Sequence, residues 1–88
     1  MTYSLNTTSR FDKQLKKLDK QTQRLILKWL NKNLVNTTDP RQHGKQLSGK
    51  HSEKWRYRVG DYRILVNIRD KELIVLALEV GHRKAIYE

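Results

Sequence analysis

The strongest constraint on the fold is a pair of alternating segments, 55–59 and 62–68, that are separated by only two residues. In each segment a large apolar side chain recurs at every second position, which is typical of a β-strand buried on one face. The intervening Gly60-Asp61 favours a type II′ turn, because glycine at the first central position accepts a positive φ. The sequence therefore predicts a β-hairpin.

The length of this turn decides which side chains share a face of the hairpin. Counting outward from two turn residues places Arg58 opposite Arg63 and Arg56 opposite Leu65, so the three arginines project from one face. The other face is apolar and is the one that helices can cover; it carries Trp55, Tyr57, Val59, Tyr62, Ile64, Val66 and Ile68.

The arginine face has two interpretations. Like charges that are directly opposed across a ladder cost a few tenths to about 1 kcal/mol, and a bound anion would relieve this repulsion. A phosphodiester suits the planar guanidinium, which accommodates two oxygens at once and keeps its proton. The alternative is that the arginines are only the solvated face of a half-exposed sheet. Three of them on one face favour anion binding.

The rest of the chain predicts an α+β domain with two N-terminal helices on one face of a small, mainly antiparallel sheet. Residues 3–7 alternate and predict a first strand, and helix-start signals follow at Thr8 and Asp19. Residues 36–54 form a basic loop without periodicity, and residues 73–80 predict the last strand. The predicted order is β-α-α-β-β-β in a single domain. The helical apolar stripes are Phe11, Leu15 and Leu18, then Leu25, Ile26, Trp29, Leu30 and Leu34.

Charge narrows the class of partner. Nineteen Lys and Arg against nine Asp and Glu give a formal net charge of +10, which favours a polyanion or an acidic protein. The absence of cysteine and of any long apolar stretch predicts a cytoplasmic protein without a membrane segment. No paired carboxylates, metal-ligand spacing, nucleophile elbow or phosphate-binding glycine loop occurs, so neither a metal nor another cofactor is expected.

Several further residues are candidates for binding. The basic loop and its end supply Lys45, Lys50 and Lys54 for RNA binding, and His82 beyond the last strand joins them as a candidate. Histidine can also act as an acid or a base, but His43 and His51 lie in the polar loop and are interpreted as exposed bystanders.

An apolar strip is expected beside the arginines. Leu65, Leu76 and Leu78 are predicted on the arginine face, where an exposed strip would mark a partner site. The alternative is that the C-terminal residues cover it.

Four motifs in sequence order resemble the RelE/ParE superfamily of bacterial toxin-antitoxin modules, over a match that runs from Tyr3 to Tyr87. They are Phe11-x3-Leu15-x2-Leu18, Asp39-Pro40-Arg41-x2-Gly44-x2-Leu47-x-Gly49, Trp55-Arg56-Tyr57-Arg58-x-Gly60-x-Tyr62-Arg63 and Val80-Gly81-His82-Arg83-x3-Tyr87. The RelE branch implies a ribosome-dependent endoribonuclease that cuts mRNA in the A site. The ribose 2′-hydroxyl attacks the adjacent phosphate and leaves a cyclic phosphate, without a metal.

The resemblance also implies roles for individual residues. Arg56 and Arg58 match the two basic residues of the family's active strand, and Arg63 matches its next-strand arginine. Arg83 and Tyr87 match its C-terminal arginine and tyrosine, and the role of general base falls on Tyr87. Arginine does not readily give up a proton, so protonation of the leaving group is unassigned, with His82 as the nearest candidate.

The implied partners and the competing functions complete the expectations. An acidic antitoxin would fold over the basic face and the leucine strip, the ribosome and mRNA would be the targets, and operator DNA would be bound only through the antitoxin complex. One alternative is a ParE-type toxin, which shares the fold and is understood to inhibit DNA gyrase without cutting RNA. Another is a non-catalytic basic RNA-binding module.

Overall fold

A computed structural model describes residues 1–47 and 54–83. The elements in this part of the chain are β1 (Ser4–Thr7), α1 (Ser9–Lys16), α2 (Lys20–Asn33), β2 (Gly44–Gln46), β3 (Lys54–Val59), β4 (Tyr62–Arg69) and β5 (Ile74–His82). The strands form one sheet in the order β1-β5-β4-β3-β2. Strand β1 is parallel to β5, and the other neighbours are antiparallel. The predicted α+β class is confirmed.

Both helices begin at the predicted N-cap residues. The Thr8 hydroxyl accepts a hydrogen bond from the Phe11 amide at 3.0 Å. The Asp19 carboxylate accepts one from the Thr22 hydroxyl at 2.6 Å and one from the Thr22 amide at 3.1 Å. These bonds satisfy helix amides that have no partner within the helix, and those to Thr22 hold the pKa of Asp19 below its ordinary value.

The helices cover one face of the sheet, as the alternation predicts. Helix α1 buries two apolar side chains and α2 buries two, with Leu34 following at its end. They meet the apolar face of β3, β4 and β5, and removal of this surface from water is the main favourable contribution to folding. The core comprises Phe11, Leu15, Ile26, Leu30, Leu34, Tyr57, Val59, Ile64, Val66, Ile68, Val75, Ala77 and Val80.

The central hairpin has the predicted register. Arg58 is the Cα partner of Arg63, and Arg56 is the partner of Leu65. Gly60 has φ of 59°, whereas Asp61 is not among the residues with positive φ. A type I′ turn requires a positive φ at both positions, so these values agree with the predicted type II′ turn. The face assignment of the arginines is therefore confirmed.

The prediction that residues 36–54 contain no strand was wrong, because β2 lies within them. Gly44 is the Cα partner of Tyr57, and a Cβ on Gly44 would lie 2.8 Å from Cε1 of the Tyr57 ring. The absent side chain thus lets β2 approach β3 closely. A strand of three residues without alternating apolar side chains cannot be predicted from periodicity. It forms because its backbone pairs with β3.

A bulge in β5 shapes the junction between β1 and α1. Leu65 is the partner of Glu79 and Val66 of Ala77, which leaves Leu78 without an opposite residue in β4. On the other edge of β5, Thr8 donates its amide to the Ala77 carbonyl at 3.0 Å and its hydroxyl to the Leu78 carbonyl at 2.9 Å. The bulged segment is thereby tied to the start of α1.

A cluster that we call the Asp70 clasp joins four distant parts of the chain. The Asp70 carboxylate accepts two hydrogen bonds from Arg41, at 2.9 and 2.8 Å, and one from the Tyr3 hydroxyl at 2.7 Å. The Arg41 guanidinium also lies over the Trp55 ring, 5.6 Å from its centroid. The clasp links the N-terminus, the segment before β2, strand β3 and the β4–β5 turn. It commits the Arg41 guanidinium to a structural role.

We expect Gly44→Ala to destabilise the fold by about 1 to 3 kcal/mol, which is the usual cost of overpacking. The new methyl group would meet the Tyr57 ring, which is fully buried and has no room to move aside. Urea unfolding followed by tryptophan fluorescence measures the effect. In a Tyr57→Leu background the same substitution should cost clearly less. An equal cost in both backgrounds would contradict the close approach.

We expect Asp70→Asn to lower stability at neutral pH by about 1 kcal/mol or less, as for an exposed ion pair. Hydrogen bonds from Arg41 and then Tyr3 hold the pKa of Asp70 below its ordinary value in the folded state. The stabilisation is therefore present above the unfolded-state pKa and is lost as pH falls through the folded-state pKa.

Urea unfolding of both proteins across the acidic range tests this dependence. The stability difference between wild type and Asp70→Asn should close in acid, and a difference that persists unchanged would refute the clasp. Glu72→Gln in the same turn is the control, because Glu72 reaches Arg69 only at 3.9 Å and should contribute less.

Candidate functional site

A cavity of about 370 Å³ opens beside β2, β3 and β4, where the predicted arginines converge. Arg56, Arg58 and Arg63 all line it, and Lys45 from β2 joins them. The cavity therefore gathers three residues that the sequence assigns to catalysis and one that it assigns to RNA binding. Among the described residues, the lining consists of His43, Gly44, Lys45, Arg56, Arg58 and Arg63.

Strand register brings these side chains together. Lys45 is the Cα partner of Arg56 in the β2–β3 pair, and Arg58 is the partner of Arg63 in the β3–β4 pair. Paired residues project from the same face of a sheet, and Arg56 and Arg58 are two positions apart on β3. All four cations consequently lie on the face that the helices leave open.

The cations differ in exposure. Arg63, on the central strand β4, is buried with 7% of its surface exposed, whereas Arg58 and Lys45 are exposed and Arg56 is half-buried. A buried guanidinium gives up hydration that an anion can replace. Of the described residues that line the cavity, four carry permanent positive charge and none is acidic. The site is therefore chemically suited to a phosphate group, with Arg63 at its base.

His43 lies in the cavity wall, which the bystander interpretation did not anticipate. Its ring stands edge-on to Trp29 of α2, with centroids 6.1 Å apart, and Trp29 in turn contacts Tyr57 at 5.3 Å. Tyr57 is buried, which raises the pKa of its hydroxyl, and that hydroxyl donates to the Pro40 carbonyl. The sequence does not predict the place of His43 in the lining, because that place depends on β2, which periodicity does not reveal.

The other predicted site residues fall in different places. Lys54 is the partner of Asn67, on the arginine face but outside the cavity lining. Exposed Arg83 follows β5, and its amide donates to the Asp61 carbonyl at 2.8 Å, beside the central turn. Gly81, two residues earlier, is the partner of Arg63. The catalytic assignments of Arg56, Arg58, Arg63 and Arg83 remain predictions, and Lys50, His51 and Tyr87 lie outside the described residues.

His82 is not brought to the cavity. It is the Cα partner of Tyr62, and its ring contacts that of Tyr62 edge-on with centroids 5.6 Å apart. Tyr62 packs against the core, whereas the neighbouring Arg63 projects to the opposite face. The register thus separates His82 from the arginines.

The leucine strip is less exposed than the sequence predicts. Leu65 lies on the arginine face but is only 9% exposed, because it sits on the central strand between its partners Arg56 and Glu79. Leu76, the partner of Asn67, is half-buried on that face, and Leu78 in the bulge is also half-buried. Their assignment to antitoxin binding remains a prediction.

The described residues contain neither a cluster that could hold a metal ion nor a helix that could span a membrane. Within residues 1–47 and 54–83, no group of three or more His, Cys, Asp or Glu side chains is placed to hold a metal ion. In the same residues, neither helix is long and apolar enough to cross a membrane.

Solved toxin-antitoxin structures are similar to this chain over nearly its whole length. In the RelBE2 complex from Mycobacterium tuberculosis, a chain matches with a TM-score of 0.84 and 26% identity, covering 94% of this chain and 93% of that one. In the RelB-RelE complex from Methanococcus jannaschii, the TM-score is 0.60 and the identity 28%, covering 93% and 94%.

A mutant of the E. coli toxin RelE in the free state shares the fold, with a TM-score of 0.77 and 24% identity, covering 97% of this chain and 87% of that one. A search of curated proteins finds no match. The family model for the ParE toxin of the type II toxin-antitoxin system parDE matches residues 5–87. The chain therefore belongs to this toxin family, within the RelE/ParE superfamily of type II toxin-antitoxin modules.

Proposed function

We propose that this toxin is a ribosome-dependent endoribonuclease that cleaves mRNA in the A site. The observation that supports it is a cavity that joins the buried Arg63 to Arg56, Arg58 and Lys45, with no acidic side chain among the described residues of its lining. Its volume, about 370 Å³, falls within the range usual for small-molecule sites and can take a phosphate with part of a nucleotide.

The proposed chemistry is attack of the ribose 2′-hydroxyl on the adjacent phosphate. The pentacoordinate state gathers negative charge, and guanidinium groups that are already in place stabilise it without reorganising. Arg63 on the central strand and Arg83 beside the turn bind the scissile phosphate, while Arg56 and Arg58 hold the backbone next to it. Tyr87 would accept the 2′-hydroxyl proton, because a tyrosine that is placed beside several cations has a lowered pKa.

The proposed partners follow from charge and from the relatives. Two of the similar structures are toxin-antitoxin complexes, which supports a cognate antitoxin for this chain. An acidic segment of that antitoxin would cover the arginine face and exclude mRNA from it. Lys45, Lys50 and Lys54 then contribute RNA contacts when the antitoxin is absent, and operator DNA is bound only through the complex, in the cytoplasm.

The family model favours a second candidate function, inhibition of DNA gyrase, because it describes a ParE toxin. A gyrase inhibitor has no chemical need for a cavity of clustered arginines. The two functions therefore predict different effects of replacing Arg63. Toxicity should be lost if the toxin is an endoribonuclease, and it should be kept if the toxin inhibits gyrase.

We expect Arg58→Ala to lower mRNA cleavage by about 10²- to 10³-fold, the usual effect of removing one donor to a developing charge. Because Arg58 is exposed and faces Arg63, its loss should leave stability unchanged or raise it by up to about 1 kcal/mol. Purified ribosomes programmed with a defined mRNA give the rate, and thermal unfolding gives the stability.

Arg69→Ala is the matched control for this prediction, since Arg69 is an exposed arginine on the same strand as Arg63 and lies outside the cavity. Arg69→Ala should cleave at the wild-type rate. Wild-type cleavage by Arg58→Ala would contradict the assignment of the site. So would an equal loss of cleavage in both variants, because each removes one positive charge.

We expect Arg63→Ala, Arg83→Ala and Tyr87→Phe each to abolish growth arrest and mRNA cleavage together, because each removes a proposed contact to the reacting groups. Toxin is expressed in cells, mRNA ends are mapped on stalled ribosomes, and gyrase supercoiling activity is measured in parallel. Growth arrest with intact mRNA and inhibited gyrase would overturn the endoribonuclease in favour of the second candidate.

A further inference from the structure

The proposed reaction needs a proton donor that the predicted residues do not supply. As the bond from phosphorus to the 5′-oxygen breaks, that oxygen leaves as an alkoxide unless a proton reaches it. Guanidinium and ammonium groups, the cationic side chains that line the cavity, are by type poor proton donors. The donor must be a side chain that reaches the same cavity and releases a proton readily.

His43 meets this requirement through its position. It lines the cavity together with the three arginines, and it is the one described lining residue whose side chain type exchanges protons near neutral pH. It is exposed, so water can reprotonate it between turnovers. A histidine beside several cations, with no carboxylate among the described lining residues, is suited to giving a proton to an anionic leaving group.

The surrounding contacts hold His43 in place. The Gly44 amide donates to the Arg41 carbonyl at 3.3 Å, and the Gln42 amide to the Asp39 carbonyl at 3.3 Å, so consecutive turns lead into β2. On the other side, the His43 ring stands against Trp29 at 6.1 Å between centroids. A proton donor has to be positioned within hydrogen-bond reach of its acceptor, and these contacts restrict where the ring can lie.

We propose that His43 is the general acid of this toxin and protonates the 5′-oxygen of the leaving nucleotide. This inference rests on the proposed function. The bond between the 2′-oxygen and phosphorus forms, the bond between phosphorus and the 5′-oxygen breaks, and the 2′-hydroxyl proton passes to Tyr87. The proton of the His43 imidazolium passes to the 5′-oxygen. The products are a 2′,3′-cyclic phosphate and a 5′-hydroxyl, and water reprotonates the imidazole.

His82, the other described histidine near the end of the sheet, does not satisfy the same geometry. It is absent from the described lining of the cavity, and as the Cα partner of Tyr62 it lies on the opposite face from Arg63. Strand register and the lining of the cavity therefore favour His43 over His82 as the proton donor.

The test compares ordinary mRNA with an mRNA whose scissile 5′-oxygen is replaced by sulfur, both bound in the A site of purified ribosomes. A thiolate leaves without prior protonation, because a thiol has a pKa of about 8.5, far below that of an alcohol. We expect His43→Gln to slow cleavage of ordinary mRNA by about 10²- to 10³-fold. The same variant should cleave the sulfur-containing mRNA at close to the wild-type rate.

Two further variants make the result decisive. Arg58→Ala should slow cleavage of both mRNAs, because the guanidinium stabilises the pentacoordinate state whichever atom leaves. Gln42→Ala, in the same turn but with an exposed side chain outside the cavity, should cleave both at the wild-type rate.

The outcomes separate the inference from the proposed function. Equal slowing of both mRNAs by His43→Gln would assign it to binding or positioning and overturn the proton transfer. An unchanged rate on ordinary mRNA would make His43 a bystander and overturn it equally. Cleavage of neither mRNA by the wild-type toxin would instead refute the proposed function itself.

Discussion

The opposed pair of Arg58 and Arg63 is the constraint around which the functional face is built. A two-residue turn sets their register, and the period of two then places the apolar residues of β3 and β4, except Leu65, on the helix side. A slip by one residue would bury the arginines and expose the core. The free energy of burying the apolar face therefore also enforces the unfavourable proximity of two guanidinium groups.

Tyr57 extends this constraint from the hairpin to the neighbouring loop. Its ring fills the space that a side chain on Gly44 would need, and its hydroxyl is tied to the carbonyl of Pro40. Both contacts draw the segment before β2 onto the sheet. Lys45 then lies beside Arg56, and His43 lies at the cavity wall. One buried aromatic residue thus supports both the core and the edge of the site.

The sequence predicts most of the fold because its signals there are local. The turn at Gly60, the caps at Thr8 and Asp19 and the two periodicities are each contained within a few residues, and packing then has little freedom. Strand β2 and the bulge at Leu78 escape prediction because they arise from pairing between distant segments. The alternation of side chains along β3 and β4 is enough to predict the three arginines of the cavity, but it does not predict His43. His43 reaches the cavity through β2, a strand that the sequence pattern does not indicate.

The exposure of the cations suggests how the site can be both stable and responsive to a partner. Arg63 is fixed by the strands on either side of it, whereas Arg58 and Lys45 stay exposed at the mouth of the cavity. Repulsion between the opposed arginines raises the free energy of the empty toxin, and any ligand that supplies negative charge recovers part of it. Under the proposed function, a phosphodiester and an acidic antitoxin segment would each supply negative charge to the same cavity. The proposed function would then explain competition between substrate and antitoxin for one cavity by charge alone, without a conformational switch.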